Sequence, residues 1–186
     1  MSTKKASINI ENVVASATLN QHIDLNAIVR IFPSVEYRPV QFPGLVYRLK
    51  KPKTATLIFS SGKMVCTGAK SESQARKAVM KVVEDLRRDG VIGTASPEIQ
   101  IQNIVASASL GGTIDLEKST YSLERTMYEP EQFPGLIYRM DDPKVVILLF
   151  ASGKLVCTGA KKEDEVGKAV ERLQGILETK ELIHYT

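Results

Sequence analysis

An internal repeat limits the possible folds of this chain, because the pentapeptide QFPGL occurs twice, at 41–45 and at 132–136. The same offset of 91 positions (132 minus 41) aligns two copies of VCTGAK, and about half of the paired positions from 8 to 86 are identical. Such self-similarity indicates a tandem duplication, which predicts two similar structural units. We place the first repeat at 1–90 and the second at 91–186.

The composition is that of a globular protein. Of the 186 residues, 43% are hydrophobic and 25% are charged, which is enough to build a sizeable core. No apolar run reaches the length of a membrane span, and residues 1–6 lack the apolar core of a signal peptide. We therefore expect an intracellular, soluble protein.

The two cysteines, Cys66 and Cys157, are repeat mates within apolar strands. A small buried thiol is the expected state of each, and a disulfide is not expected in a reducing compartment. The two histidines, His22 and His184, do not lie at ligand spacing from either cysteine, so a metal site has little support and we expect no cofactor.

The net charge of +4 is unevenly distributed along the chain. Residues 1–90 contain 15 basic and 7 acidic residues, a balance of +8, whereas 91–186 contain 10 basic and 14 acidic residues, a balance of −4. The duplicated protein therefore carries an electrostatic polarity that can influence the choice of partner.

Hydrophobic periodicity predicts the same elements in each repeat: a strand, a short helix, four strands and a long helix. The long helix of the first repeat is predicted to begin at the capping residue Ser71 and to end near Asp89. A linker at 89–98 separates the repeats. The long helix has an apolar stripe that recurs in the second repeat, formed by Ala75, Ala78, Val79, Val82, Val83 and Leu86, and by Val166, Ala169, Val170, Leu173 and Leu177.

The apolar stripes require both helices of a repeat to pack on the same face of its sheet, which leaves the other face open. The strand residues predicted to point to this open face are nevertheless mostly uncharged. An apolar open face indicates a binding surface. Its residues, paired as repeat mates, are Asn12 and Asn103, Val14 and Val105, Leu57 and Leu148, Phe59 and Phe150, Val65 and Val156, and Thr67 and Thr158.

The phenylalanines of QFPGL are predicted to lie in loops. Pro43 favours an extended conformation at Phe42, and Gly44 permits a tight turn, as do the equivalent residues around Phe133. A single loop phenylalanine usually folds back into the core. Two copies, each with a second phenylalanine in a strand of the same repeat, favour pairs of projecting rings.

The segments NIVAS, YEPEQFPGLIYRM, SGK and VCTGAK, together with the duplication, closely resemble the conserved core of the TATA-box-binding protein family over nearly the whole chain. The resemblance implies an α+β saddle of two pseudo-symmetric repeats. In it a curved ten-stranded antiparallel sheet carries four helices on its convex face and DNA under its concave face. The short N-terminus resembles archaeal members, which implies a cytoplasmic, nucleoid-associated protein; a eukaryotic member would be nuclear.

The resemblance also implies a function, that of a general transcription initiation factor. Such a protein binds the minor groove of A·T-rich TATA-box promoter DNA and bends it by phenylalanine insertion. It then recruits a factor-B-type initiation factor and RNA polymerase. The intercalating residues carried over by motif are Phe42 with Phe59 and Phe133 with Phe150.

The chemistry of the open-face residues fits contacts with A·T base pairs. In the minor groove these pairs present only acceptors, whereas G·C adds the guanine amino group as a donor. Asn12, Asn103, Thr67 and Thr158 can donate hydrogen bonds to such acceptors. The Val and Leu residues named above would place methyl groups on the groove floor, where a guanine amine would clash.

Basic residues at equivalent positions of the two repeats are candidates for binding the DNA backbone. As an alternative, exposed basic side chains are mostly solvated surface, but their duplication at the predicted sheet edge favours symmetric phosphate contacts. The predicted phosphate-binding residues are Arg48, Ser61, Lys63, Arg139, Ser152 and Lys154.

The two QFPGL loops differ in charge, because Arg38 and Val40 of the first become Glu129 and Glu131 in the second. We hypothesise that the acidic loop binds a basic initiation factor, and the resemblance points to one of the factor-B type. The alternative is that these carboxylates only add solubility.

An enzyme has little support in the sequence, which contains no phosphate-binding loop, zinc-ligand cluster or nucleophile triad. Two other readings stay open. One is a nucleic-acid-gripping module of a repair or cleavage system, and the other is a duplicated protein-binding scaffold. The sequence also leaves open whether the free protein forms a homodimer through its apolar face.

Overall fold

The structure, a computed structural model, describes residues 5–94 and 96–186. The elements of the first repeat are β1 (Ser7–Thr18), α1 (Leu25–Ile31), β2 (Leu45–Lys50), β3 (Lys53–Ile58), β4 (Lys63–Ala69) and α2 (Glu72–Arg88). Those of the second are β5 (Glu98–Ser109), β6 (Gly112–Ile114), α3 (Leu116–Ser122), β7 (Thr126–Met127), β8 (Leu136–Asp141), β9 (Lys144–Leu149), β10 (Lys154–Ala160), α4 (Glu163–Thr179) and β11 (Ile183–Tyr185).

The predicted antiparallel sheet and four helices are confirmed, with nine strands in the sheet of the described chain instead of ten. The strand order is β2-β3-β4-β1-β5-β10-β9-β8-β7. The first of the four strands predicted after the short helix of the first repeat, which we expected at 35–38, is reduced to one bridge between Glu36 and Val46. Turns flank this bridge on both sides, because Val35 donates its backbone N–H to Phe32 O at 3.3 Å and Arg38 O accepts from the N–H groups of Gln41 and Phe42 at 3.0 Å.

Two short strands were not predicted. β11 pairs with β6 in a separate two-stranded sheet, which joins positions about 70 residues apart. The Tyr185 hydroxyl holds this strand on α4, because it accepts a hydrogen bond from Gln174 Nε2 at 2.9 Å and donates one to Glu178 Oε1 at 3.1 Å. Strands of three residues carry too little periodicity to be recognised.

The chain divides into two compact units whose bounds fall inside β1 and β5. One unit is Asn12–Gln102, and the other combines the residues up to Glu11 with Asn103–Thr186. We call them the first and second unit by the repeat that supplies most of each. Within the first, Gln102 Nε2 donates to Ser16 Oγ, and within the second, Ser107 Oγ donates to Glu11 Oε1, each at 2.7 Å. The repeat bounds of 1–90 and 91–186 stay a prediction.

The helices of the first unit pack on one face of its strands, as their apolar stripes predict. All six stripe residues of α2 are buried, and all but Ala75 join sheet residues such as Ile58, Met64 and Cys66 in one core. Ser71 Oγ accepts from Gln74 N at 3.0 Å and caps this helix. The five stripe residues of α4 are also buried. None of the helices in the described part of the chain is long and apolar enough to cross a membrane.

Both cysteines are free and buried, as predicted. Burial disfavours the charged thiolate, which raises the pKa of Cys157 to about 11 and also raises the pKa of Cys66. Both side chains therefore act as small apolar groups at neutral pH.

Candidate nucleic-acid interface

In the first unit, the strand residues that alternate with the core point to the opposite face. Strand register places Val46, Leu57, Val65 and Ser16 side by side in one row across four strands. All four side chains are half-buried, although all but Val46 lie on interior strands of the sheet. This is the open face, and its central row carries no formal charge.

The second unit repeats this row in the same register. Ile137, Leu148, Val156 and Ser107 are neighbours across β8, β9, β10 and β5, and they too are half-buried. The Leu and Val mates of both rows were predicted from the sequence, whereas Val46 and Ile137 were not. These two follow QFPGL directly at the second position of a strand, which is the signal that could have found them.

The QFPGL phenylalanines form ring pairs with the strand-end phenylalanines. Phe42 lies 5.9 Å from Phe59 between ring centroids, at an interplanar angle of 74°, and Phe133 lies 5.8 Å from Phe150 at 64°. These edge-to-face contacts are favourable for aromatic rings. Phe42 is 43% exposed and Phe133 is 40% exposed, so neither ring folds back into the core.

A glycine lies beneath each ring pair, where a larger residue would displace a ring. A Cβ atom on Gly44 would lie 2.8 Å from Phe42 Cε1 and 3.0 Å from Phe59 Cε1. On Gly135 it would lie 2.7 Å from Phe133 Cε2. The rings therefore occupy the space that any other residue would fill, and QFPG is the local sequence that allows a compact exposed pair.

Backbone hydrogen bonds hold the two loops in the same conformation despite their different charges. In the first loop, the N–H groups of Gln41 and Phe42 both donate to Arg38 O at 3.0 Å. In the second loop, Gln132 and Phe133 donate to Glu129 O at 2.9 and 3.0 Å. Because the acceptor is a backbone carbonyl, the side chain at this position is free to differ between the repeats.

The predicted base-contacting residues Asn12 and Thr67 are in direct contact. Asn12 Oδ1 accepts from the backbone N–H of Gly68 at 2.7 Å, and Asn12 Nδ2 donates to Thr67 Oγ1 at 3.0 Å. Gly68 has a φ of +102°, and the pairing of β1 with β4 shifts register beside it. Glycine adopts this left-handed conformation without strain, and the resulting bulge turns its N–H towards the asparagine.

The second unit contains the same cluster. Gly159 N donates to Asn103 Oδ1 at 2.7 Å, and Asn103 Nδ2 donates to Thr158 Oγ1 at 3.2 Å. Gly159 has a φ of +103°. Neither glycine was predicted from the sequence, although each follows its threonine directly in VCTGAK.

These bonds determine what the asparagine clusters can offer to a ligand. The amide oxygen is occupied by a strong backbone bond, which fixes the amide so that its second N–H is available to a ligand. The threonine hydroxyl reaches the same oxygen only at 3.4 Å, a long bond that a better acceptor can replace. Each cluster therefore presents donors to the open face.

The basic residues predicted to bind phosphate lie at the start of open-face strands or within them. Lys63 and Lys154 are exposed at the start of β4 and β10, and their backbone N–H groups donate at 3.4 Å to the side chains of Ser61 and Ser152, respectively. Arg48 and Arg139 are exposed on β2 and β8. Arg48 Nη1 forms an ion pair with Glu36 Oε1 at 3.0 Å, which was not predicted from the sequence.

Comparison with known proteins identifies the family. The family model described as "Transcription factor TFIID (or TATA-binding protein, TBP)" matches residues 7–88 and again 98–180. The chain belongs to the TATA-box-binding protein family. Two successive matches to the family model also agree with the duplication seen in the sequence.

Individual members of the TATA-box-binding protein family are similar over most of their length. The TATA-box-binding protein of Sulfurisphaera tokodaii is 59% identical over 169 residues, which cover 91% of this chain and 85% of that protein. That of Methanothermobacter thermautotrophicus is 53% identical over 176 residues, which cover 95% and 97%. A solved structure of Methanococcus jannaschii TBP superimposes with a TM-score of 0.84 at 48% identity, covering 93% and 99%. The fold implied by the resemblance is therefore confirmed.

Proposed function

We propose that this chain is a general transcription initiation factor that binds the minor groove of A·T-rich promoter DNA through the open faces of its two units. One observation carries the proposal: an exposed ring pair, a donor-presenting asparagine cluster and an uncharged apolar row recur at the same register in both units. A half-exposed apolar sheet face is a binding surface, and these donors suit a ligand that offers acceptors.

The ring pairs are suited to insertion between base pairs. Separating one base step costs a few kcal/mol, least at flexible steps such as TA. Burying the apolar rows contributes roughly 25 cal/mol per Å² and offsets this cost. Since each ring pair is already formed in the free protein, with Phe42 and Phe133 exposed, little conformational freedom is lost on binding.

The asparagine clusters account for base preference. Adenine N3 and thymine O2 are acceptors that can receive hydrogen bonds from the Asn amide and the Thr hydroxyl. At a G·C pair the guanine amino group would face these donors and leave them without partners, which costs about 1–3 kcal/mol for each buried group. The methyl groups of the apolar rows add a steric barrier to the same amine.

We expect tight binding to an A·T-rich duplex, weak binding to a G·C-rich duplex of equal length, and strong salt dependence. If Arg48, Arg139, Lys63 and Lys154 each neutralise one phosphate, the logarithm of the binding constant falls with that of the salt concentration at a slope of about −3.6. Fluorescence anisotropy with labelled duplexes at a series of salt concentrations measures both quantities.

A matched pair of variants tests which lysines contribute to the slope. Lys63→Gln is expected to reduce its magnitude by about 0.9, whereas Lys81→Gln, on the helix face of the same unit, is expected to leave it unchanged. Equal affinity for the A·T-rich and G·C-rich duplexes would contradict the proposed base contacts. A binding constant that does not change with salt concentration would contradict the phosphate contacts.

The acidic loop of the second unit is the proposed contact for a factor-B-type initiation factor, and through it for RNA polymerase. Glu129 and Glu131 are exposed beside the Phe133 ring, whereas the first loop has Arg38 and a fully exposed Val40. The two open faces are nearly alike, so a difference in loop charge can give the bound complex a direction. The archaeal relatives lead us to expect this activity at the nucleoid.

Charge reversal tests this contact. A Glu129→Arg, Glu131→Arg variant is expected to bind A·T-rich DNA but to lose recruitment of the basic factor, which a supershift of the protein–DNA complex measures. The backbone carbonyl at 129 is retained, so the loop keeps its conformation. As a control, Arg38→Glu, Val40→Glu in the first loop should leave recruitment intact. Normal recruitment by the first variant would exclude this loop as the contact.

A further inference from the structure

The ion pair between Glu36 and Arg48 distinguishes the two units at the rim of the open face. Glu36 pairs with Val46 and so lies at the outer end of the apolar row of the first unit. Its carboxylate reaches Arg48, which is one of the proposed phosphate-binding residues. The two side chains are 57% and 58% exposed, so neither is locked in place by packing.

The second unit has no carboxylate at the equivalent position. Met127 occupies it, pairs with Ile137 as Glu36 does with Val46, and is 57% exposed. Within the described residues, Arg139, the mate of Arg48, is in none of the ion pairs. The two arginines thus start from different electrostatic states, although their strands have the same register.

We infer that Glu36 competes with a DNA phosphate for Arg48, so that the first unit holds the DNA backbone less tightly than the second. This inference rests on the proposed function. Arg48 must exchange a carboxylate for a phosphate on binding, whereas Arg139 exchanges only water. At the position equivalent to Glu36, Met127 brings an uncharged, flexible side chain, which can contact the groove edge without this cost.

Removing the competing charge should strengthen DNA binding. For Glu36→Gln we expect about two- to fivefold tighter binding to an A·T-rich duplex at physiological salt, the range of an exposed ion pair. The magnitude of the salt slope should rise by up to about 0.9, because Arg48 then neutralises a phosphate fully. Glu84→Gln removes the same charge from the exposed surface of α2 and should change neither quantity.

The reciprocal substitution introduces a competing carboxylate into the second unit. Met127→Glu places a carboxylate within reach of Arg139 and should weaken binding by a similar factor, with a shallower salt slope. A merely structural role of Glu36 would change the thermal midpoint but not the slope. An unchanged affinity and slope in Glu36→Gln would overturn the inference.

A double-mutant cycle separates this mechanism from general repulsion. Arg48→Gln should weaken binding, and Glu36→Gln should have no further effect in that background. If Glu36→Gln strengthens binding equally with or without Arg48, the carboxylate acts by its own charge and competition for Arg48 is wrong. Failure of the unmodified protein to bind the A·T-rich duplex would instead refute the proposed function itself.

Discussion

A Phe133→Ala, Phe150→Ala variant is expected to lose about half of the DNA bend while still binding A·T-rich duplex. These two rings form one of two equivalent pairs, and each pair is proposed to open one base step. Without the rings that step stays stacked and its kink disappears. Energy transfer between fluorophores at the two duplex ends measures the bend, and Phe42→Ala, Phe59→Ala should remove the other half.

Affinity should change less than the buried area suggests. Burying one phenylalanine ring contributes about 1.5–3 kcal/mol, so a pair contributes about 3–6 kcal/mol to the complex. The variant also avoids the few kcal/mol needed to unstack its base step. The lost burial energy minus the avoided unstacking cost corresponds to a loss of about ten- to hundredfold in affinity. The bend angle is therefore the more direct measure of insertion.

Phe32 provides the control for this experiment. It is the one phenylalanine of the chain outside the two ring pairs. Its ring packs edge-to-face on Tyr47 at a centroid distance of 5.3 Å, on the helix side of the first unit. Phe32→Leu should reduce the free energy of unfolding but leave the bend of the folded protein unchanged. A full bend in the Phe133, Phe150 variant would contradict insertion.

Periodicity and repetition predicted the parts of this structure that depend on side-chain hydrophobicity. The stripe from Ala75 to Leu86 is buried as expected, and the alternation in β3 and β4 separates Leu57 and Val65 from the core. The ring pairs were predicted because proline and glycine place the QFPGL phenylalanine in a loop in both copies, each with a second phenylalanine in a strand of the same repeat. Each of these predictions needs only residue types and their spacing along the chain.

The missing features depend on backbone groups or on contacts between distant positions. Gly68 acts through its N–H, which every non-proline residue has, so no residue type marks it as a partner of Asn12. The Glu36–Arg48 ion pair depends on the single bridge that places Glu36 beside Val46. β6 and β11 meet across most of the second repeat. Such contacts follow from the assembled fold and not from the pattern of any one segment.

The asparagine clusters allow a test that reverses hydrogen-bond polarity while keeping the fold. An aspartate at position 12 or 103 can still accept from the N–H of Gly68 or Gly159, the 2.7 Å bond that fixes the side chain. What changes is the group that faces the ligand, which becomes a carboxylate oxygen in place of an N–H. Shape and volume are almost the same, so the substitution isolates donor chemistry from packing.

The Asn12→Asp, Asn103→Asp variant is expected to bind A·T-rich duplex at least about a hundredfold more weakly. Two donors are lost, at about 1–3 kcal/mol each, and two carboxylates face acceptors instead. A G·C pair at a contacted position should be disfavoured less than in the unmodified protein, because a carboxylate can accept from the guanine amine. Anisotropy with matched duplexes measures both, and a thermal melt checks the fold. Unchanged A·T affinity in a folded variant would show that these amides do not contact the bases.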